Sequence, residues 1–337
     1  MKKKILAAAL CAAVVLSLTG CGKEEAPADT GNGTVNTGTS TPETAPTAED
    51  TNNSAAQTSD TDTESKPEGP VIEWIDASEN DFDCRSYGNG VEIAAYRGAG
   101  GAIRIPATIN GKQVLSIGEK AFYDAKTVTN VEIPYGVTTI GKEAFGLCKK
   151  LESISLPGSV TTIEYRAFGN CSSLESIVIP DSVTELGIKA FVECFMLTSV
   201  DLGNGLTTIG DSAFNGCVGI TSIVIPDGVT EIGTGIFHGC NRLTSIVIPD
   251  SVTSIGAGAF FNCEYLESIS LPDRVTSIGE QAFYGCKHLT SMVIPDRVTQ
   301  LGHNAFYKCD NLTVKYKGTE YHPLDNDLYI AINRPFT

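Results

Sequence analysis

Eight cysteines recur at one spacing of 23 residues: Cys148, Cys171, Cys194, Cys217, Cys240, Cys263, Cys286 and Cys309. Thiols can pair, bind soft metals or act as nucleophiles, so this series is the first place to look for chemistry. One cysteine per repeat gives no close C-x-x-C pair, which disfavours zinc. Stacked repeats would set the thiols roughly 5 Å apart, within the Cα separation for a disulfide, but with side chains parallel rather than facing. Free thiols acting as small apolar plugs are therefore expected. Cys84 has no evident partner, and Cys11 lies in the leader. The four histidines, His238, His288, His303 and His322, fall in different repeat phases or in the tail, with no shared nucleophile. No G-x-S-x-G, Walker loop or H-E-x-x-H is present, so the chain reads as a non-enzyme without metal or cofactor. A periodic Asp (Asp181, Asp227, Asp250, Asp273, Asp296) offers isolated carboxylates, two of them beside Arg274 and Arg297. That is a poor oxygen cage for calcium and a good turn former.

The residues that remain are aromatic. Phe261, Tyr284 and Tyr307 each follow a periodic Phe by one position, and Tyr265 and His288 lie four further on. Stacked repeats would gather these five into an exposed patch, with His238 at its edge, of the composition expected at a protein or glycan contact. Earlier repeats carry Tyr123, Gly146, Gly169, Val192 and Asn215 at the first position, so the patch belongs to the C-terminal half. A second stripe, Val178, Val224, Val247 and Val293 among serines, would form a flat, small-residued strand face, either a contact surface or a plain solvated one.

The elements that position these residues come from one repeat. Phe recurs nine times at a spacing of 23, from Phe122 to Phe306. Such recurrence means a solenoid. Leu-x-x-Ile-x-Ile reads as a strand with its Ile side chains inward, Pro ends the ladder, and Asp with Ser or Gly turns the chain. Val-Thr-x-Ile is a second extended stretch, and the Gly after it is expected to let the backbone reverse. Ala-Phe-x-x-Cys-x-x-Leu has helical spacing, so a short helical turn is expected to carry Phe inward. The fold class is thus a solenoid of mostly short β-strands with short helical turns. Its domains are an N-terminal cap over 71–102, repeats over 103–312 and a C-terminal cap over 313–337. The strand Val314–Lys315–Tyr316–Lys317 reads as a terminal, solvent-facing one.

The repeat as it runs from Ile248 to Pro272, IPDSVTSIGxxAFxxCxxLxSIxLP, resembles the BspA-like (Treponema pallidum-type) leucine-rich repeats of bacterial surface proteins. The resemblance implies a leucine-rich repeat fold, display on the cell and adhesion to host matrix or to other bacteria. It transfers no binding residue, because the motif is the scaffold. Departures at Glu164 (no Gly), Gly203-Asn204 (for Pro-Asp) and Ile236 (for Ala) predict local irregularity.

Charge and hydropathy place the repeats in the cell. Forty acids and 24 bases give a net charge of −16, and no basic tract exists to engage nucleic acid. Residues 1–20 join three lysines to an apolar run too short to span a membrane, and Leu18-Thr19-Gly20-Cys21 follows. This resembles the lipobox of bacterial lipoprotein signal peptides, which implies cleavage and lipid attachment at Cys21. Residues 21–70, rich in Thr, Ala and acids and without an aromatic, cannot bury a core and read as a disordered tether. The whole implies an extracytoplasmic lipoprotein, touching membrane only through its lipid and binding proteins or glycans of host matrix or other cells. The alternative is an envelope-organising spacer or scaffold.

Overall fold

Residues 72–322 and 326–333 are described by the structure, a computed structural model. The leader, Cys21 and the tether lie outside the described residues. From residue 72 onward the chain winds into stacked coils, each contributing two short strands and one turn-rich edge. The first strands line up in parallel as Trp74–Asp76, Gly101–Arg104, Val128–Glu132, Ser153–Ser155, Ser176–Val178 and Ser199–Asp201. The second strands, Thr139–Ile140, Thr162–Ile163, Glu185–Leu186 and Thr208–Ile209, form another parallel ladder. Register follows the repeat: Ser176 pairs with Ser199 and Thr162 with Glu185, each 23 residues on. Central Ile side chains point inward and flanking Ser or Val outward, which is the period of two that a half-buried strand requires. The Thr of Val-Thr has its own task. Thr161 Oγ1 donates to Thr138 O at 3.2 Å and Thr276 Oγ1 to Thr253 O at 3.3 Å, tying each coil to the one before.

The Phe-bearing edge is not helical. Residues two before and two after each Phe have left-handed φ in all nine coils, as in Glu143 (51°) and Leu147 (60°) around Phe145 and Lys189 (59°) and Glu193 (58°) around Phe191. Left-handed residues on both sides of Phe break a helical turn and orient alternate N–H groups along the coil axis. Glu143 N donates to Tyr165 O (2.9 Å), Phe145 N to Ala167 O (2.8 Å) and Leu147 N to Gly169 O (2.9 Å). This edge is therefore a third intercoil ladder built of turns. The Gly following Val-Thr-x-Ile does not reverse the chain either: its φ is not positive. A Cβ at Gly256 would lie 2.6 Å from Gly233 C, and one at Gly279 2.6 Å from Gly256 C, so glycine there permits close approach of neighbouring coils.

Inside, the nine Phe rings stack from Phe122 to Phe306 with centroids 4.8 Å (Phe122–Phe145) to 5.9 Å (Phe214–Phe237) apart. The column continues into the N-terminal hairpin of Phe82–Tyr87 and Gly90–Tyr96, where Tyr96 lies 4.9 Å from Phe122. Within the hairpin, the buried Glu92 is satisfied by Arg85 of the paired strand and by Ser116 Oγ at 3.1 Å. The irregularity expected at Gly203-Asn204 is present: both ladders break after Ser199–Asp201 and Thr208–Ile209, and the widest Phe spacing follows. At Glu164 and Ile236 the ladders hold, with Glu164 N on Ile140 O (2.9 Å) and Phe214 N on Ile236 O (3.0 Å).

The C-terminal end closes differently from the sequence expectation. Thr313–Tyr316 pairs with Ser291–Ile294 at a step of 22 residues, not 23. Val314 and Tyr316 are buried while Lys315 and Lys317 face out, so this strand is still core-facing, and the antiparallel Thr319–Tyr321 is the edge. Tyr316 Oη donates to Val298 O at 2.9 Å. The helix Asn326–Asn333 buries Leu328 and Ile332, and the Asn333 amide both accepts from Leu301 N (2.9 Å) and donates to Leu301 O (2.8 Å). A side chain thus supplies the pairing a further strand would have made.

Candidate functional site

The cysteine series is a buried ladder of thiols. All eight repeat cysteines are buried, and all nine cysteines among the described residues are unpaired. Each repeat thiol donates to the carbonyl of the Phe in the preceding coil, from Cys148 Sγ on Phe122 O (2.9 Å) to Cys309 Sγ on Phe283 O (2.9 Å). Phe145 O, for example, accepts from Cys148 N at 3.2 Å and Cys171 Sγ at 3.1 Å. Cysteine at this position is a small apolar filler that also satisfies a buried lone pair, a role composition alone did not reveal. Burial pushes the thiols of Cys148 and Cys240 up to about 12. Such thiols stay protonated and un-nucleophilic at neutral pH. No group of His, Cys, Asp and Glu among the described residues is placed to hold a metal ion. In the Asp row, Asp181 Oδ1 accepts from Asn204 N of the next coil at 2.7 Å.

The aromatic residues form two columns rather than the single patch expected from the sequence. His238, Phe261, Tyr284 and Tyr307 stack in order, at 4.6 Å and 1° for the first pair, 4.4 Å and 3° for the second, and 5.5 Å and 39° for the third. Tyr265 and His288 form the second column, 4.6 Å apart. Ring contacts run along each column, and among the described residues none joins the two. Without a helical turn, residues four apart do not share a face as they would on a helix. Tyr265 and Tyr307 are 51% and 47% exposed, and Phe261 and Tyr284 are half-buried by their neighbours in the stack. Lys308 Nζ sits 5.2 Å from the Tyr284 ring centre. His303 stacks instead on Tyr329 of the C-terminal helix.

Val178, Val224, Val247 and Val293 are exposed on the strand face. Their stripe is interrupted: Val224 adjoins Val247, but Asp201 pairs next to Val178 and Lys315 next to Val293. The structure adds a group the sequence reading passed over. Phe195 and Met196 are 46% and 54% exposed. Met196 shares a repeat phase with Gly219, Arg242, Tyr265 and His288 and stands three coils before Tyr265. Reading that phase through every repeat would have found it. At the opposite end, Gly146 and Gly169 leave a shallow hollow lined by Tyr123, Arg166 and Asn170.

Residues 115–244 and 230–317 match the family described as BspA type leucine rich repeat region, in six copies. The chain belongs to the BspA-type leucine-rich repeat family. A solved leucine-rich repeat protein of T. pallidum is 33% identical, covering 57% of this chain and 91% of its own, with a TM-score of 0.55. One from Bacteroides ovatus is 29% identical over 72% of this chain and 71% of its own, with a TM-score of 0.56. Among curated proteins, none matches. BspA-type repeats thus account for the coils, and membership supports a protein-interaction role. No helix among the described residues is long and apolar enough to cross a membrane.

Proposed function

We propose that this protein is a non-catalytic recognition lipoprotein, anchored to the bacterial surface through Cys21, held off the membrane by residues 22–70, and adhering to host or bacterial partners through its repeat surface. The observation that carries the reading is the outer ring column. The coils require Phe and Cys inside, whereas His238, Phe261, Tyr284 and Tyr307 occupy a position that the four preceding coils fill with Gly146, Gly169, Val192 and Asn215, and the first coil with Tyr123. Large aromatic side chains kept at an outer position that the fold leaves free are the usual content of a binding surface. Membership in a repeat family with a protein-interaction role supports the same conclusion.

The test uses bacteria displaying the full chain. Replacing Phe261, Tyr284 and Tyr307 together by Ala should abolish attachment to matrix-coated surfaces or partner cells while the amount displayed stays constant. Cys21→Ala should release the protein from the membrane fraction. Attachment unchanged in the triple variant would favour a spacer with no outside partner and discard the adhesive reading.

A further inference from the structure

We infer that the hollow between Tyr123 and Arg166 is a separate binding site for a neutral sugar ring, independent of the adhesive role proposed for the outer ring column. The outer position runs Tyr123, Gly146, Gly169 and Val192 through the first four coils, so the two places next to the Tyr123 ring carry no side chain. Backbone conformation does not call for glycine there, because neither Gly146 nor Gly169 has a positive φ. Both make the turn bond that Val192 makes, from N to the carbonyl three residues before, at 2.9, 2.9 and 3.1 Å. What the glycines provide is room. Tyr123 stands over Gly146, where a Cβ would come within 3.0 Å of its ring. Arg166 stands over Gly169, where a Cβ would lie 3.4 Å from Nε. With the two glycines these side chains line a hollow of about 60 Å³ that opens to solvent.

Its walls bring together an aromatic ring, a carboxylate and a guanidinium. Tyr123 is 43% exposed, and among the described residues no other ring stacks on it. Phe261, by contrast, has His238 on one side and Tyr284 on the other. An open ring face is the negative part of the aromatic quadrupole, and the weakly positive C–H face of a pyranose lies well on it. Glu143 and Arg166 supply an acceptor and donors, each already held in place. Lys120 Nζ lies 3.2 Å from Glu143 Oε2, and Arg166 Nη2 donates to Asn170 Oδ1 at 3.2 Å. Asn170 donates in turn to Glu193. Neighbouring hydroxyls of a sugar can donate to a carboxylate and accept from a guanidinium at once. Lys120 and Arg166 balance Glu143 and Glu193, so the hollow has no net charge with which to draw an ionic ligand. A platform with a few oriented polar groups, in a hollow this shallow, suits a small ligand held at about millimolar strength.

The test titrates the full chain with the methyl glycosides of glucose, galactose, mannose and N-acetylglucosamine, read by saturation-transfer NMR. Transfer to the ring C–H protons of at least one of them is expected. Tyr123→Ala should abolish it, and Arg166→Gln should weaken binding about tenfold. Both change side chains that are at least partly exposed, so the fold should stand. Gly169→Val places in the hollow the side chain that Val192 carries one coil on, and should abolish transfer too. The Phe261, Tyr284, Tyr307 triple variant should bind the sugar as the native chain does, so loss of attachment and loss of sugar binding are separate results. No transfer to any of the four glycosides would overturn the inference, as would transfer that survives Tyr123→Ala or Gly169→Val. Transfer lost in the triple variant would place the sugar on the outer column instead. Stronger binding of glucuronate or glucosamine than of every neutral glycoside would overturn the neutral class.

Discussion

Two columns of aromatic rings run through the same coils, and they differ in what they owe to the fold. The inner column is complete: Phe122 to Phe306 in nine coils, prolonged by Tyr96, with every Phe from 122 to 283 almost wholly buried. The outer column occupies four coils, is half-exposed, and has no ring in the coils of Phe145, Phe168, Phe191 and Phe214. Both have a ring spacing set by the pitch of the coils. Stacking geometry alone therefore does not distinguish them, but necessity does. A buried ring fills volume that nothing else can fill without a cavity. An outer ring fills only solvent, so its presence calls for another reason.

Truncation should separate the columns most sharply. Phe214→Ala leaves a ring-sized cavity where both strand ladders already break, and a loss of about 3–5 kcal/mol in unfolding free energy is expected by urea titration. Phe261→Ala, one residue from an inner Phe but half-exposed, should cost less than about 1 kcal/mol in the same titration. The thiols come next in size. Cys217→Ala removes the donor to Phe191 O (3.0 Å), but that carbonyl keeps Cys194 N (3.3 Å), so a loss of about 1–2 kcal/mol is expected.

Alkaline pH probes the same thiols. Cys240 is raised from its ordinary value to about 12 by burial. The folded state thus holds the proton more tightly than the unfolded one. Stability from this group is fully present below about pH 8.5 and is lost as pH climbs toward the folded value. Urea midpoints should therefore fall between about pH 9 and 11, and less so in Cys240→Ala. The smallest effect concerns the turn ladder. Leu147 has φ of 60°, which costs a branched side chain and costs glycine nothing, so Leu147→Gly should be neutral or stabilising by up to about 1 kcal/mol. A helical turn at that site would instead make the glycine destabilising.

That last contrast marks where the sequence was legible and where it was not. Phe and Cys at 23-residue spacing disclosed the solenoid because burial constrains residue type. The turn ladder was illegible because its left-handed positions hold Lys120, Glu143, Arg166, Ser212 and Gln281 as readily as Gly235 and Gly258. Intercoil hydrogen bonds compensate the strain, so no glycine signature is left to read. The helical spacing of Ala, Phe, Cys and Leu reflected four inward-pointing turn residues, not a helix. In the outer surface, the rings of Phe261, Tyr284 and Tyr307 were legible as one repeat phase and those of Tyr265 and His288 as a second, but their separation into two columns was not, because it depends on the turn ladder. Phe195 and Met196 were missed because they stand three coils before Tyr265, and Gly219 interrupts the phase between them. The last step of 22 residues was invisible because Val314 and Tyr316 bury a different pair of side chains at the end of the core.

The most direct test of the division of labour is one urea titration with two variants beside the native chain: Phe214→Ala, and Phe261, Tyr284 and Tyr307 replaced together by Ala. The expected outcome is that three outer rings removed at once destabilise less than one inner ring. Should the triple variant unfold earlier than Phe214→Ala, the outer column is part of the scaffold, and the claim that its rings are free for a partner is wrong.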